Sequence, residues 1–137
     1  MVDGYCSDMT RTVFLGKVPS KFKEIYQIVR EAQIAALGSI QYGMQSTEVD
    51  SIARDIIKRA GFGEFFGHSL GHGIGLATHE KPVVGPLKSE ELKEGMVFTV
   101  EPGIYIPGEG GVRLEEMVFL DKDCPRILTT NTNFYSF

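Results

Sequence analysis

The sequence predicts an α+β fold, with two helices followed by a series of short strands. Two segments with apolar residues at helical spacing occupy residues 20–60. Short β-branched and aromatic runs, separated by Gly and Pro turns, fill much of the second half of the chain. No internal repeat or low-complexity linker divides the 137 residues, which predicts one domain.

The first predicted element is a strand over residues 2–15, because this segment alternates loosely and is rich in β-branched and aromatic side chains. Gly16 and Pro19 end it. A helix follows, with Ser20 as its expected N-cap and an apolar stripe that continues to about Leu37.

The second predicted helix begins at Ser46 or Thr47 and carries its apolar residues on one face. Lys58 and Arg59 fall in its last turn, where positive charge is favourable. Gly61 is the expected glycine just beyond the helix end.

The second half of the chain alternates between apolar runs and turns. Glycine accounts for 16 of 137 residues, against an average of about 7%, and clusters between residues 61 and 111. This clustering indicates tight turns and closely packed backbone. The predicted strands cover residues 96–100, 104–106 and 112–120, and a short tail is expected from residue 131.

Composition narrows the class of protein. The apolar fraction of 42% and the charged fraction of 23% are those of an ordinary globular domain. A net charge of −4 attracts neither nucleic acid nor an anionic membrane, so we expect neither as a partner. The chain has no membrane-span or signal-peptide pattern, which predicts a cytoplasmic location. Cys6 and Cys124 are expected to be free thiols, with a single bridge between them as the alternative.

All three histidines, His68, His72 and His79, fall within twelve residues and are interleaved with glycines, which indicates a functional site. A zinc-protease helix would need a glutamate after the first histidine, but Ser69 follows, and the glycines oppose a helix. The G-x-S-x-G pattern at 67–71 would need an acidic residue and then a histidine after its serine, but no Asp or Glu lies between Ser69 and His79. Serine-hydrolase chemistry is therefore disfavoured.

Two glutamates stand in predicted strands. Glu101 closes a strongly apolar strand, and a buried carboxylate there needs a partner, for which a cation would serve. In the last predicted strand, alternation puts Glu115 on the same face as Arg113. Glu116 points to the other face, where we expect a solvated edge residue.

Asp8, on the first predicted strand, is a third candidate carboxylate. With His72, Glu101 and Glu115 it makes a set of three carboxylates and one imidazole. Such an oxygen-rich set suits Mn²⁺, Co²⁺, Fe²⁺ or Zn²⁺ better than a structural zinc site, which favours cysteines. A pair of such ions can activate water and polarise a carbonyl group.

Four motifs resemble those of one enzyme family. They are SDMTRT at 7–12, HSLGHGIGLATHEKP at 68–82, EPGIY at 101–105 and GVRLEE at 111–116. Their order and context are similar to the creatinase/aminopeptidase "pita-bread" metallopeptidases, especially the proline-specific branch of Xaa-Pro aminopeptidases and prolidases. The resemblance covers essentially the whole sequence and implies a partial pita-bread fold, with two helices packed on a curved, mostly antiparallel sheet.

The resemblance implies a two-metal peptidase site. Asp8 and Glu115 would bridge the two ions, and His72 and Glu101 would bind on one side. Mn²⁺ or Co²⁺ are the expected cofactors, with Zn²⁺ or Fe²⁺ as alternatives.

The resemblance also assigns catalytic roles. His68 and His79 match histidines that contact substrate and stabilise the tetrahedral intermediate, and Arg113 would orient Glu115. The implied substrates are proline-containing peptides or dipeptides, cleaved before the proline.

One family feature lies outside this sequence. The family's fifth ligand is an aspartate one strand before the strand that carries Asp8, in the first half of the domain. We therefore expect residues 1–137 to be the C-terminal portion of a metallopeptidase catalytic domain, holding one ion or none and showing little activity. An unpaired edge at residues 2–14 further predicts a homo-oligomer.

Two alternatives to a working peptidase follow from the same resemblance. One is a peptide- or protein-binding module without catalysis, against which the intact candidate ligands and histidines argue. The other is a non-functional truncation.

Overall fold

The computed structural model describes residues 1–129, in which two helices pack against antiparallel sheets. The tail predicted from residue 131 lies outside the described residues. Within residues 1–129, neither helix is both long enough and apolar enough to span a bilayer. The predicted α+β class and arrangement are confirmed.

Helix α1 covers Ser20–Ser39, close to the predicted range. Its buried face includes Ile25, Val29 and Ala32, in agreement with the helical spacing of the sequence. The expected Ser20 cap was wrong: Ser20 lies in the first turn, the capping position is Pro19, and no side chain caps this end.

Helix α2 covers Ser46–Arg59, as predicted. Its N-terminus is held by a reciprocal capping box between Gln45 and Glu48, each side chain accepting a hydrogen bond from the other residue's backbone. Gly61 follows the helix with a φ of +86°, the left-handed conformation expected beyond a helix end.

In the described part of the chain, seven short strands form two antiparallel sheets. The larger sheet has the order β2-β1-β3-β6-β7, and β4 and β5 form a separate hairpin. The strand bounds are β1 Gly71–Gly73, β2 Glu80–Val84, β3 Val97–Val100, β4 Gly103–Ile106, β5 Gly110–Arg113, β6 Glu116–Leu120 and β7 Pro125–Ile127.

The long strand predicted over residues 112–120 was wrong, because the chain leaves one sheet and enters the other at this point. Leu114 and Glu115 lie between β5 and β6 and belong to neither strand. The backbone N–H of Glu115 donates to the Thr10 carbonyl (3.1 Å) instead of joining a ladder. This break places Glu115 where the two sheets meet.

The strand predicted over residues 2–15 was also wrong. Val2 and Tyr5 form only an isolated bridge, around a turn in which Asp3 has a φ of +49°. The rest of the segment is held largely by side chains: the Thr12 hydroxyl, for example, bonds both the carbonyl and the N–H of Arg113 (2.9 and 3.2 Å). The segment therefore runs beside residues 113–117 without a regular ladder.

Two glycines allow β1 to lie between its neighbours. A Cβ at Gly71 would overlap the Thr99 carbonyl, and one at Gly73 would overlap the Lys81 carbonyl. These contacts confirm the closely packed backbone predicted from the glycine cluster. They also position His72, which stands between the two glycines.

The hydrophobic core lies between the helices and the sheets. Its fully buried members come from both helices and from strands of both sheets, and include Ile25, Val29, Ala53, Ile57, Phe98, Val100, Ile104 and Leu120. Burial of this surface fixes the strand ends that carry the polar residues of the cleft.

Candidate metal centre

The seven residues singled out in the sequence meet around one cleft of about 380 Å³. Asp8 and Glu115 do not line this cleft themselves but lie close to His72, which does. The other residues of the set line it directly: His68, His72, His79, Glu101 and Arg113.

Three of the four proposed ligands form a compact group. Asp8, His72 and Glu115 each offer one ligand atom, and these atoms all lie within 4.8 Å of one another. Glu101, the fourth, places Oε1 3.2 Å from His72 Nε2. Segments far apart in sequence thus bring together the oxygen and nitrogen donors that divalent cations prefer.

The orientation of His72 leaves a lone pair directed at a carboxylate. Its Nδ1 lies 3.0 Å from the Gly73 carbonyl, which can only accept, so Nδ1 carries a proton. In the neutral ring Nε2 faces Glu101 Oε1 with a lone pair, so either a second proton on the imidazole, which would donate to Glu101, or a bound cation is needed between them. The hydrogen bond with Glu101 accordingly raises the pKa of His72, while burial opposes the rise.

Glu101, which directly follows β3, is held by His72 and by Thr99. Burial acts to raise the pKa of Glu101, but hydrogen bonds from His72 and Thr99 outweigh it and leave that pKa lowered. The Thr99 hydroxyl donates to Oε1 (3.0 Å) and accepts from the His72 backbone N–H (3.1 Å). One hydroxyl therefore sets the positions of two candidate ligands.

Glu115 has a buried carboxylate with one unsatisfied oxygen. The residue is 2% exposed; Oε2 accepts from the Thr10 hydroxyl at 2.5 Å, whereas Oε1 has no hydrogen-bond partner among residues 1–129. Burial raises the pKa of Glu115 to about 7, and repulsion from Glu101 and Asp8 adds to the shift. A buried carboxylate that lacks a partner and faces other carboxylates fits a bound cation.

His68 and Tyr105 form a second polar group at the cleft. His68 Nδ1 lies 2.7 Å from the Ser69 carbonyl, so Nδ1 carries the proton. In the neutral ring Nε2 then accepts from the Tyr105 hydroxyl, 2.9 Å away. His68 is thereby oriented by its backbone on one side and by a phenol on the other.

Arg113 connects the two polar groups. Its Nη1 donates to the Tyr105 hydroxyl (3.3 Å), and its Nε donates to the Thr10 hydroxyl (3.0 Å). Thr10 in turn donates to Glu115, so the guanidinium reaches that carboxylate through a hydroxyl. The same Nε lies 3.9 Å from Glu101 Oε2.

His79 is exposed and stacks on the proposed metal-ligating histidine. The ring centroids of His72 and His79 are 4.0 Å apart, with a 35° tilt. His79 Nδ1 lies 3.3 Å from the Thr78 hydroxyl. Its position at the rim leaves it accessible to a bound molecule.

Sequence reasoning did not single out the residues that support the candidate ligands. Thr10 and Thr99 each stand two positions from a candidate carboxylate, Asp8 and Glu101. Alternation along an extended chain places such residues on the same face, and this signal could have found both. Tyr105 has no comparable spacing signal, because its link to His68 spans 37 positions.

The prediction that Glu116 is a solvated edge residue was wrong. Glu116 is 2% exposed, and both of its oxygens lie 3.0 Å from Arg11 Nη2. It also accepts from the Thr129 hydroxyl. Arg11 reaches this face because the N-terminal segment runs alongside β6, a tertiary arrangement that strand alternation does not reveal.

Comparison with known proteins identifies the family. Residues 1–122 match the sequence model of metallopeptidase family M24. The Xaa-Pro dipeptidase of Pyrococcus horikoshii is 52% identical over 125 residues, which make up 91% of this chain and 36% of that protein.

Solved structures give the same result. Prolidase from Pyrococcus furiosus superposes with a TM-score of 0.93 at 49% identity, covering 96% of this chain and 39% of that one. The X-Pro aminopeptidase from Thermotoga maritima superposes with a TM-score of 0.89 at 49% identity, covering 93% and 36%.

The chain thus spans a little more than a third of the length of these relatives. The architecture is that of the corresponding part of their pita-bread fold, which confirms the resemblance predicted from the four motifs. This chain belongs to metallopeptidase family M24.

Proposed function

We propose that this chain contributes its cleft to a Xaa-Pro-directed metallopeptidase, which hydrolyses the peptide bond before proline. The observation that carries the proposal is the convergence of Asp8, His72 and Glu115, with Glu101 against His72 and one Glu115 oxygen left without a partner. The relatives, which include a Xaa-Pro dipeptidase, a prolidase and an X-Pro aminopeptidase, support the substrate class.

Asp8, His72, Glu101 and Glu115 would hold the metal. The proposed cofactors are Mn²⁺ or Co²⁺, with Zn²⁺ or Fe²⁺ as alternatives, since all four accept mixed oxygen and nitrogen ligands. Two such ions, when bound, lower the pKa of a water molecule and polarise the substrate carbonyl.

The other cleft residues would act on the substrate. His68 and His79 line the cleft, where the exposed His79 can donate an imidazole N–H to the oxygen of the reacting carbonyl as negative charge develops on it. His68, held between the Ser69 carbonyl and the Tyr105 hydroxyl, would contact the substrate. Arg113 holds Thr10 and Tyr105, and through them it orients Glu115 and His68.

The extent of the chain bears on its activity. Four candidate ligands are one fewer than the resemblance implies, and the chain spans 36% of the P. horikoshii relative. We place the chain in the C-terminal portion of the catalytic domain, in the cytoplasm, and expect weak binding of one ion with weak hydrolysis.

Calorimetric titration of the metal-stripped chain with Mn²⁺, and separately with Co²⁺, tests the metal site. We expect one ion to bind each chain weakly, with binding lost in His72→Ala. His79→Ala is the matched control, because it removes a stacked imidazole and keeps the four proposed ligands. Failure of both ions to bind wild type at neutral pH would contradict a metal site in this chain.

Hydrolysis of Gly-Pro and of a longer Xaa-Pro peptide, followed with and without Mn²⁺, tests the activity. Slow metal-dependent cleavage is the expected result. Rapid cleavage would show that the four ligands suffice. Binding of the peptides without any cleavage would favour a peptide-binding module instead.

A further inference from the structure

A buried ion pair on α2 lies outside the cleft described above. Arg54 Nε lies 2.7 Å from Asp50 Oδ2, and Arg54 Nη2 lies 2.8 Å from Asp50 Oδ1. Asp50 is fully buried, whereas the Arg54 side chain is 23% exposed. Charges this far from water persist only where their remaining hydrogen-bonding capacity is satisfied.

That capacity is directed at the chain leading into β1. Arg54 Nη1 donates to the Phe66 carbonyl (2.9 Å) and Nη2 to the His68 carbonyl (2.8 Å). Asp50 Oδ1 accepts from the Leu70 backbone N–H (3.1 Å). The pair therefore binds the main chain of three alternate residues within the segment 66–70.

Two side chains of this segment also contact the pair, Phe66 directly and His68 through Phe66. Arg54 Cζ lies 4.2 Å from the centroid of the Phe66 ring. The Phe66 ring in turn meets the His68 imidazole edge-on, with centroids 5.0 Å apart at 89°. Guanidinium, phenyl and imidazole thus form a continuous row of contacts from α2 to the cleft.

The segment also connects to a candidate ligand. The Leu70 carbonyl accepts from the Glu101 backbone N–H at 2.7 Å, while the Leu70 N–H is bound to Asp50. Leu70 therefore connects the ion pair to Glu101, the residue that follows β3.

We propose that Asp50 and Arg54 are positioning residues, which hold segment 66–70 so that His68 presents Nε2 to the Tyr105 hydroxyl in the cleft. The inference rests on the proposed function, in which His68 acts on the substrate. A planar guanidinium can bind a carboxylate and two carbonyls simultaneously. A lysine ammonium at position 54 lacks that fork, although it keeps the charge.

Nitrogen NMR of the imidazole rings tests this positioning directly in the metal-stripped full chain at pH 8. In wild type we expect His68 to show a single tautomer, protonated at Nδ1. In Arg54→Lys we expect that preference to be lost, with both tautomers comparably populated. The control Ile57→Val removes one methylene from the core side of the same helix and should leave the His68 tautomer unchanged.

A purely structural role for the pair predicts a different outcome. The His68 tautomer populations would then depend only on the free energy of unfolding. Arg54→Lys and Ile57→Val would change them equally if both variants lost the same amount of stability. A His68 ring that remains fully Nδ1-protonated in folded Arg54→Lys would overturn the proposal.

If Arg54→Lys does not fold, amide exchange in wild type decides. The Leu70 N–H, bound to a buried carboxylate, should exchange slowly, and exchange at the rate of an open loop would overturn the proposal.

Peptide hydrolysis separates this inference from the proposed function. In Mn²⁺-loaded chain, Arg54→Lys should lower kcat for Gly-Pro about tenfold and leave KM within about twofold. Absence of hydrolysis in wild type would count against the proposed activity alone, because the tautomer measurement requires neither metal nor turnover. Equal kcat in wild type and Arg54→Lys would contradict the positioning role.

Discussion

At the scale of single residues, the centre is defined by groups that lack a positive partner. His72 directs a lone pair at Glu101, and Glu115 keeps one buried oxygen without a hydrogen bond. Both features are unfavourable in the protein alone, and a divalent cation among the four proposed ligands would relieve both. We therefore expect these groups to lower the free energy of unfolding of the metal-free chain.

The metal-stripped chain should be less stable at pH 8 than at pH 5. The folded pKa of Glu115, about 7, exceeds its ordinary value of 4.5, so its contribution is present below pH 4.5 and lost as pH rises through 7. The pKa of His72 is also raised, so its contribution to stability is likewise lost as the pH rises above 6.5. The pKa of Glu101 is lowered, so its contribution is lost only as the pH falls below 4.5. Urea unfolding should show a loss of about 2 kcal/mol.

Glu115→Gln should remove most of that pH dependence, because an amide carries no charge to desolvate. In chelator at pH 8 we expect this variant to be about 1–2 kcal/mol more stable than wild type. With Mn²⁺ the order should reverse, since only wild type gains from binding. Exposed Glu31→Gln is the control, and a Glu115→Gln chain less stable than wild type in chelator would contradict the account.

At the scale of elements, β1 depends on having no side chain at either position beside His72. We expect Gly71→Ala to destabilise the chain by about 3 kcal/mol, because the new Cβ would overlap the Thr99 carbonyl of β3. Gly38→Ala in α1 has open space and should change stability by less than about 1 kcal/mol, in the stabilising direction. Thermal unfolding of the two variants checks this, and equal effects would show that β1 is not packed this way.

The elements also show what the sequence could predict. Both helices were predicted nearly to their ends, because their apolar periodicity coincides with the face that packs in the core. Strands β1, β2 and β7 were not predicted, since three to five residues with glycine or proline carry little pattern. The break at Leu114 and Glu115 depends on a hydrogen bond that the Glu115 N–H donates to the Thr10 carbonyl, 105 positions away, which no local pattern records.

The candidate site was more predictable than the strands around it. The resemblance named seven residues, and the structure brings all seven to one cleft or its edge. The supporting groups Thr10 and Tyr105 were missed because their contacts join separate elements. Thr99 was also missed, although it stands only two positions from Glu101, to which it donates. Motif reasoning finds the groups that do chemistry before it finds those that orient them.

At the scale of the whole molecule, we propose that the N-terminal segment mediates association between copies of this chain. Met9, Val13 and Leu15 are exposed by 48%, 58% and 96%. Light scattering at rising concentration should show a homo-oligomer, and Val13→Lys should weaken it. Leu87→Lys, at an exposed apolar residue outside this segment, is the control. A wild-type monomer at every concentration would contradict this prediction.

We propose above all that this cleft binds a divalent metal ion. Crystals of the chain grown with Mn²⁺ would test this through anomalous scattering from manganese. We expect a peak in contact with His72 Nε2 and with carboxylate oxygens of Asp8 and Glu115. A manganese-bound crystal with no peak among these three residues, and its ion elsewhere, would contradict it.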